Sequence, residues 1–397
     1  MPTYIHEPPY TLLLTYLSSH LPRSGPLFRR IQHQTNTPSP SLTARVLASF
    51  SEDDDPSSES GFAQPWTIAY TDIHQGPDTQ VWVFSSLESK PKHAITEPEK
   101  QIAKSQLLSL FTFIRTHLVP PYLDWVSSTR PVYKIEVEET GVKKIPPHPL
   151  PSVLLGSVHE LVVGLIVELA GEEKRLRIHR GQNVFYAKYC FPSSSFEHED
   201  VYIKKLEESG YTFTDSAGTY GISEKHIPLV KSRTNIPRST EALLAMGGVA
   251  LYHSPSPFHL QRQGPVKEGI QGTEEMPIAW AFLGFDGSLS SLHVEPEHRG
   301  RGLAVAVGRE VMKRGVSVFG PSYSYSFLDS RPRLHDNGKG KGNSNADTNS
   351  KGDRVAKEWF FADVAVENTA SRRVMEKMGG EALWDVAWMV VEVEVDI

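Results

Sequence analysis

The segment that most constrains this chain is SLHVEPEHRGRGLAVAVGREVMKRG, residues 291–315, in which a strand passes through a glycine-containing turn into a helix. Pro296 ends the strand because proline cannot donate a backbone hydrogen bond to a neighbouring strand. Apolar residues then recur at four-residue spacing, namely Leu303, Val307 and Val311. This spacing predicts a helix over residues 302–314, with Gly315 as its stop.

The turn between this strand and this helix suits the binding of an anion. The first N–H groups of a helix have no intrahelical partner, and the helix dipole adds positive potential at the same end. Two glycines remove side chains where a ligand would approach the backbone. We therefore expect a diphosphate to be held by Arg299, Gly300, Arg301, Gly302, Leu303 and Ala304. For the RGRG turn alone, an ordinary basic connection is the alternative.

A second informative segment is FFADVAVENTASRRVMEKMGG, residues 360–380. An apolar strand is followed by Asn368, a residue type that favours the N-cap of a helix. Ala370, Val374 and Met378 recur at four-residue spacing, and Gly379 follows them. The segment therefore predicts a strand followed by a helix over residues 369–378.

Together these two segments resemble the GNAT family of acyl-CoA-dependent N-acyltransferases. The family pattern of the first segment is matched by Val294, Pro296, Arg299, Gly302 and Ala304. Residues 277–304 are also similar to the corresponding part of glycine N-acyltransferase-like proteins, which carry a degenerate GNAT-like first half. The resemblance is weak over residues 1–210, and we assign no site there.

The resemblance implies an α/β (α+β) fold with two GNAT-like halves, each a mixed, mostly antiparallel twisted sheet flanked by helices. We expect a non-catalytic N-terminal domain over residues 1–210 and an N-acetyltransferase domain over 211–397. Within the second domain, residues 321–353 contain the run HDNGKGKGNSNADTNSKGD, which has almost no apolar side chains. A segment of this composition cannot form a core, so we expect a disordered insertion.

The resemblance also implies acetyl-CoA, or a related acyl-CoA, as co-substrate. The pantetheine would lie in a V-shaped gap between two splayed strands, held by backbone groups of Leu292, His293 and Val294. Asn368 and Ser371 on the opposing helix would contact it near the sulfur. The acyl group would then pass directly to a small-molecule or peptide amine without a covalent enzyme intermediate.

An attacking amine must lose a proton, so a general base is useful. His293 is the first candidate because strand alternation places it on the face opposite Leu292 and Val294. Glu295 is the second. A strand histidine is more often a structural residue, and that alternative stays open. The family's usual tyrosine and glutamate are replaced here by Met375 and Ser288. The proton route and the strength of the activity are therefore left open.

Two arginines of the second half lie in the segment KSRTNIPRST at 231–240. Arg233 and Arg238 could recognise a carboxylate or phosphate on the acceptor. The alternative is a polar connection between two helices, with Pro237 at a helix start.

The first half shows helical and strand patterns without a catalytic cluster. Aromatic and branched residues predict an antiparallel strand pair at 66–70 and 81–85. A helix is predicted over 101–118, ended by Pro120 and Pro121. A further strand is predicted at 134–139.

Charge and cysteine content exclude several other functions. The net charge of -6 gives no general attraction to nucleic acid or to anionic membranes, and it argues against a third interpretation in which the RGRG turn and the basic insertion contact nucleic acid. The single cysteine, Cys190, excludes an intramolecular disulfide and a multi-cysteine metal site, and we expect no metal. We expect the protein in the cytoplasm, with the nucleus as a second possibility. The main rival function is a non-catalytic acyl-CoA-binding or protein-interaction module, and the sequence leaves the oligomeric state open.

Overall fold

The computed structural model describes residues 2–53, 64–76, 78–129, 145, 148–196, 206–253, 275–318 and 359–394. The expected insertion at 321–353 and the predicted strand at 134–139 lie outside these ranges. All structural statements below concern the described residues.

The first half contains alternating groups of strands and helices. Its strands are β1 (Tyr4–His6), β2 (Arg45–Ala48), β3 (Thr67–Thr71), β4 (Val81–Ser85), β5 (Val153–His159), β6 (Leu176–Arg180) and β7 (Phe185–Pro192). Its helices are α1 (Thr11–Ser18), α2 (Gly25–Asn36), α3 (Glu97–Phe113), α4 (Val119–Thr129) and α5 (Glu160–Glu172).

The second half repeats this order of elements. Its strands are β8 (Tyr211–Thr212), β9 (Gly248–His253), β10 (Ala279–Leu283), β11 (Ser288–Val294), β12 (Trp359–Ala365) and β13 (Glu381–Val393). Its helices are α6 (Ile227–Ser232), α7 (Thr240–Met246), α8 (Leu303–Val318) and α9 (Thr369–Lys377). Apart from β6, which has no counterpart in the second half, each half has a strand and two helices, three strands, a helical segment, one strand, a helix and a closing strand.

The strands form one mixed sheet in the order β1-β2-β3-β4-β5-β13-β7-β12-β11-β10-β9-β8, with β6 paired to β13. In each half the three-stranded group is antiparallel, and the next strand, β5 or β12, joins it in parallel. The last strand of each half pairs with a strand of the other half: β13 of the second half pairs with β5, and β7 of the first half pairs with β12. The mixed α/β fold with a helix-flanked sheet is thus confirmed. The sequence boundary at residue 210 stays a prediction.

Apolar side chains form separate clusters on the two faces of this sheet. In the second half, α8 and α9 pack on one face against β12 residues Phe360, Ala362 and Val364. On the other face, α6 and α7 pack against Trp280 and Phe282 of β10. Leu292 and Val294 belong to the α8 and α9 side. The sheet therefore separates the face covered by α8 and α9 from the face on which α6, α7 and their connection lie.

Two predicted helix ends are wrong. Helix α8 does not stop at Gly315 but continues to Val318. The helix of the first half does not end at Pro120 and Pro121, because a π-helical segment at Ile114–Leu118 leads directly into α4. Both prolines lie in the first turn of α4, where a backbone N–H is not required for a helical hydrogen bond. The predicted antiparallel pair of β3 and β4 is confirmed. Among the described helices, none is both long and apolar enough to cross a bilayer.

Candidate functional site

The site is built around the place where β11 and β12 separate. The two parallel strands pair only at Ser288 with Phe361 and at Leu289 with Ala362. Beyond this point β11 continues to pair with β10, but the register shifts, and Ser291 adopts a positive φ of 52°. This bulge bends β11 away from β12. The V-shaped gap expected from the sequence is therefore present.

The turn after β11 presents backbone N–H groups without protein partners. No hydrogen bond to the described part of the chain is donated by the N–H groups of Gly300, Arg301, Gly302, Leu303 or Ala304. The first N–H after these that donates a hydrogen bond within the protein is that of Val305, which donates to the Gly302 carbonyl at 3.1 Å. These groups stand at the N-terminus of α8, so their geometry fits an anion such as a diphosphate.

Both glycines of the turn have left-handed backbone conformations, with φ of 77° at Gly300 and 81° at Gly302. This region of φ is unfavourable for residues that carry a Cβ atom. At Gly300, an added Cβ would meet no atom within 4 Å. The turn therefore needs glycine for its conformation, and space for a ligand remains at Gly300.

The two arginines of the turn are held by the protein. Arg299 donates from Nε to the Val294 carbonyl at 2.9 Å. Arg301 donates from Nη1 to the Tyr211 hydroxyl at 2.6 Å, and from Nη2 to the Glu297 carbonyl at 3.3 Å. These contacts fix the path of the turn and leave its backbone N–H groups for a ligand. A contact from either guanidinium to a cofactor stays a prediction.

Asn368 forms the N-cap of α9. Its Oδ1 accepts a hydrogen bond from the Ser371 N–H at 3.0 Å, which assigns the side-chain oxygen a structural role. Met375 on the same helix is 2% exposed and packs in the core against α8 and β12. It has no proton to donate, so it cannot replace an acidic tyrosine. The contacts expected from Asn368 and Ser371 to pantetheine stay predictions.

His293 lies at the half-buried end of β11 and is stacked on Trp280, with ring centroids 4.6 Å apart. Its Nε2 has no hydrogen bond within the described residues and lies 3.7 Å from Glu295 Oε2. Glu295 is itself paired with Arg233, whose Nε lies 2.9 Å from Oε1. Burial lowers the pKa of His293 from its usual 6.5, and Glu295 partly offsets this. The imidazole is therefore favoured in its neutral form, which can accept a proton.

Arg238 connects the two halves. Its Nη1 lies 3.8 Å from Oδ1 of Asp78, which precedes β4, and its Nη2 donates to Ser290 Oγ at 3.3 Å. Ser239 also donates to Asp78 Oδ2, at 3.0 Å. Burial raises the pKa of Asp78, while Arg238 lowers it. The structure thus places Arg233 and Arg238 on the same face as His293, but each has a carboxylate partner within the protein.

Ser288, where the family resemblance led us to expect a glutamate, is bound to a nearby acid. Its Oγ donates to Asp286 Oδ2 at 2.9 Å, and its N–H donates to Oδ1 at 3.1 Å. Asp286 is only 7% exposed. This carboxylate therefore shapes the turn before β11, with both oxygens already accepting hydrogen bonds.

The sequence patterns did not reveal one ion pair beside the gap. Lys188 on β7 and Asp363 on β12 are register partners, with Nζ and Oδ1 2.6 Å apart and side chains 1% and 9% exposed. In the interior of a strand, a lone Lys or Asp gives no signal of its partner. Only the alternation of apolar and polar residues in WFFADVA could have marked Asp363 as unusual. No group of three or more potential metal ligands occurs among the described residues.

Residues 1–189 match the family model of the acyl-CoA N-acyltransferase verG N-terminal domain. No curated protein sequence matches the chain. Among solved structures, a Drosophila protein is similar over 98% of this chain and 97% of its own, with 12% identity and a TM-score of 0.51. This likeness shows a shared fold.

Two bacterial structures are more distant. A GCN5-related N-acetyltransferase from Sphaerobacter thermophilus is 11% identical over 84% of this chain and 82% of its own, with a TM-score of 0.35. One from Kribbella flavida is 12% identical over 62% and 68%, with a TM-score of 0.31. The family match therefore relates residues 1–189 to the N-terminal domain of an acyl-CoA N-acyltransferase, and the Drosophila structure shares its fold with nearly the whole chain.

Proposed function

We propose that the chain transfers an acyl group, most simply acetyl, from acyl-CoA to a small-molecule or peptide amine by direct attack in a ternary complex. The observation that carries this proposal is the row of unpartnered N–H groups from Gly300 to Ala304 at the N-terminus of α8. They lie at the open end of the gap between β11 and β12. Such a row binds a diphosphate through backbone geometry and the helix dipole.

In this proposal the edge of β11 at Leu292, His293 and Val294 binds the pantetheine as an added strand. One of these N–H groups stabilises the negative charge that develops on the thioester oxygen during attack. His293, neutral because of burial, accepts the proton of the amine, with Glu295 beside it. Arg233 and Arg238 line the acceptor side. Asn368 and Ser371 contact the pantetheine from α9.

Cys190 supports a direct route, because its thiol is a poor nucleophile. It is 1% exposed, and burial raises its pKa to about 12, so the thiolate is scarce at neutral pH. We also propose a domain boundary near residue 210, an acyl-CoA site confined to 211–397, and a cytoplasmic or nuclear location.

The decisive test places a negative charge in the turn without disturbing the fold. Ala304 is half-buried at the start of α8. Because an acidic side chain is favoured near a helix N-terminus, Ala304→Glu should fold normally. Repulsion of the diphosphate should weaken CoA binding at least about tenfold in calorimetric titration.

The matched control is Lys313→Gln, which also changes the charge by one unit but lies further along α8, at an exposed position. It should bind CoA as the parent protein does. Equal affinities of the two variants, or a parent protein that binds no CoA, would contradict the proposed site.

A second candidate function is a non-catalytic acyl-CoA-binding module. It is favoured by Met375, which is buried without a transferable proton, and by Ser288, which stands in place of a glutamate. Release of free CoA thiol from acetyl-CoA in the presence of a panel of primary amines separates the two. The transferase releases thiol only when an acceptor is present, whereas the module binds acetyl-CoA and releases none.

A further inference from the structure

The Lys188–Asp363 ion pair lies where the gap between β11 and β12 begins. Asp363 directly follows Ala362, which is the last β12 residue paired with β11. On its other side, Asp363 is the register partner of Lys188 on β7. The carboxylate therefore belongs to the narrow end of the gap, where the reacting end of a ligand anchored at residues 300–304 would lie.

Asp363 shares the face of the sheet that carries the acceptor side of the site. Its neighbours Ala362 and Val364 pack on the opposite face, against α8 and α9. Lys188 Nζ lies 5.5 Å from the ring centroid of Phe361, which has the same orientation as Asp363. This face also carries His293, stacked on Trp280, and Ser290, bound by Arg238.

The pair does not use the full hydrogen-bonding capacity of the carboxylate. Oδ1 lies 2.6 Å from Lys188 Nζ, but at an unfavourable angle for a hydrogen bond. Neither Oδ1 nor Oδ2 accepts a hydrogen bond within the described residues. A carboxylate has about four acceptor positions, and buried charges usually have their hydrogen bonds satisfied. An unsatisfied carboxylate 9% exposed beside a ligand gap indicates that a bound donor completes it.

We propose that Asp363 binds the ammonium group of the acceptor, and that Lys188 positions this carboxylate from β7. This inference rests on the proposed function, because the acceptor is placed relative to acyl-CoA. The substrate class that follows is a primary aliphatic amine, which is protonated in neutral solution. Oδ1 faces Lys188 and Oδ2 receives the ammonium, so the carboxylate lies between two cations. Asp363 thereby selects cationic acceptors over neutral ones.

Two CoA thioethers test this role of Asp363, whatever the natural acceptor is. S-(2-aminoethyl)-CoA carries an ammonium close to the position of the attacking nitrogen, and S-propyl-CoA is its neutral counterpart of similar shape. Calorimetry should show that the parent protein binds the aminoethyl conjugate at least about fivefold more tightly, as expected for a charge-assisted hydrogen bond. Asp363→Asn should reduce this preference to less than about twofold, while its affinity for S-propyl-CoA stays unchanged.

Glu172→Gln is the matched control. It neutralises a carboxylate that lies 2.6 Å from Lys104, away from the gap, and should keep the full preference. Since Asp363→Asn leaves Lys188 buried without its partner, it could unfold the chain. The double variant Lys188→Met/Asp363→Leu removes both charges and should fold, bind S-propyl-CoA and show no preference.

The outcomes distinguish this inference from the proposed function. Equal binding of both conjugates by the parent protein, or an unchanged preference in either Asp363 variant, would overturn the role of Asp363 and leave the acyl-CoA site standing. Binding of neither conjugate would overturn the proposed function and this inference with it.

Discussion

His293 is the residue whose protonation state most directly controls the proposed chemistry. Burial lowers its pKa below 6.5, so the base is neutral and active above that pH and becomes protonated as the pH falls. The parent kcat/KM should therefore fall on the acid side, with an apparent pKa below about 6.5. His293→Gln should remove this limb and lower kcat/KM about 100-fold at neutral pH. A pH–rate profile with the same acid limb in the variant would exclude His293 as the base.

Single residues of the site were predictable where the signal is local in sequence. The glycines of the turn, the N-cap Asn368 and the strand position of His293 follow from spacing alone. The Lys188–Asp363 pair was not predictable, because its members lie on strands from different halves of the chain. For the same reason, the sequence could not assign Asp78 to Arg238. Charged partners that are distant in the sequence can be identified only when the fold is known.

At the scale of elements, the turn between β11 and α8 depends on a backbone conformation, and a pair of identical substitutions can show this. An added Cβ meets no atom within 4 Å at Gly300 in the turn or at Gly171 in α5. Gly300 has a φ of 77°, so Gly300→Ala should destabilise the chain by about 1 kcal/mol and weaken CoA binding. Gly171→Ala, in a helix, should stabilise it by about 0.5–1 kcal/mol. Denaturant unfolding and calorimetry measure both, and shifts of the same sign would contradict this account.

Most elements of the second half were predictable because each has its own periodicity. Helix α8 is predicted over 302–314 and found at Leu303–Val318, and the strand predicted before Pro296 is found at Ser288–Val294. The first half was less predictable. Pro120 and Pro121 suggested an end, but a π-helical segment places them at a new helix start. Helix α2 has no clean apolar period because buried Arg29 and Arg30 lie within it.

At the scale of the whole molecule, the exchange of closing strands joins the halves into one sheet. β13 contributes Ala387, Met389 and Val391 to the core of the first half. β7 contributes Tyr189 and Phe191 to the core of the second. The family resemblance implied two GNAT-like halves but not this exchange, since β7 and β13 have the same alternation whichever sheet they join. Neither half therefore has a complete core alone. If the junction between the halves is destabilised at low pH, the free energy of unfolding of the whole chain should decrease.

His159 lies at this junction, and its protonation should affect the stability of the chain. It stacks on Trp384 of β13, with ring centroids 6.1 Å apart, and its Nδ1 accepts the Leu161 N–H at the start of α5. Burial, with Arg23 and Lys92, lowers its pKa to about 3. Between this value and 6.5 the unfolded chain binds more protons than the folded chain. Stability is therefore retained above pH 6.5 and falls as the pH decreases.

At pH 5 this loss amounts to about 2 kcal/mol for His159. His159→Asn keeps a neutral N-cap acceptor and should remove that part of the loss, so its unfolding free energy should decrease less between pH 7 and pH 5. Denaturant titrations of both proteins at the two pH values measure the difference. Because the other histidines are common to both proteins, parallel pH dependences would show that His159 is not neutral at the junction.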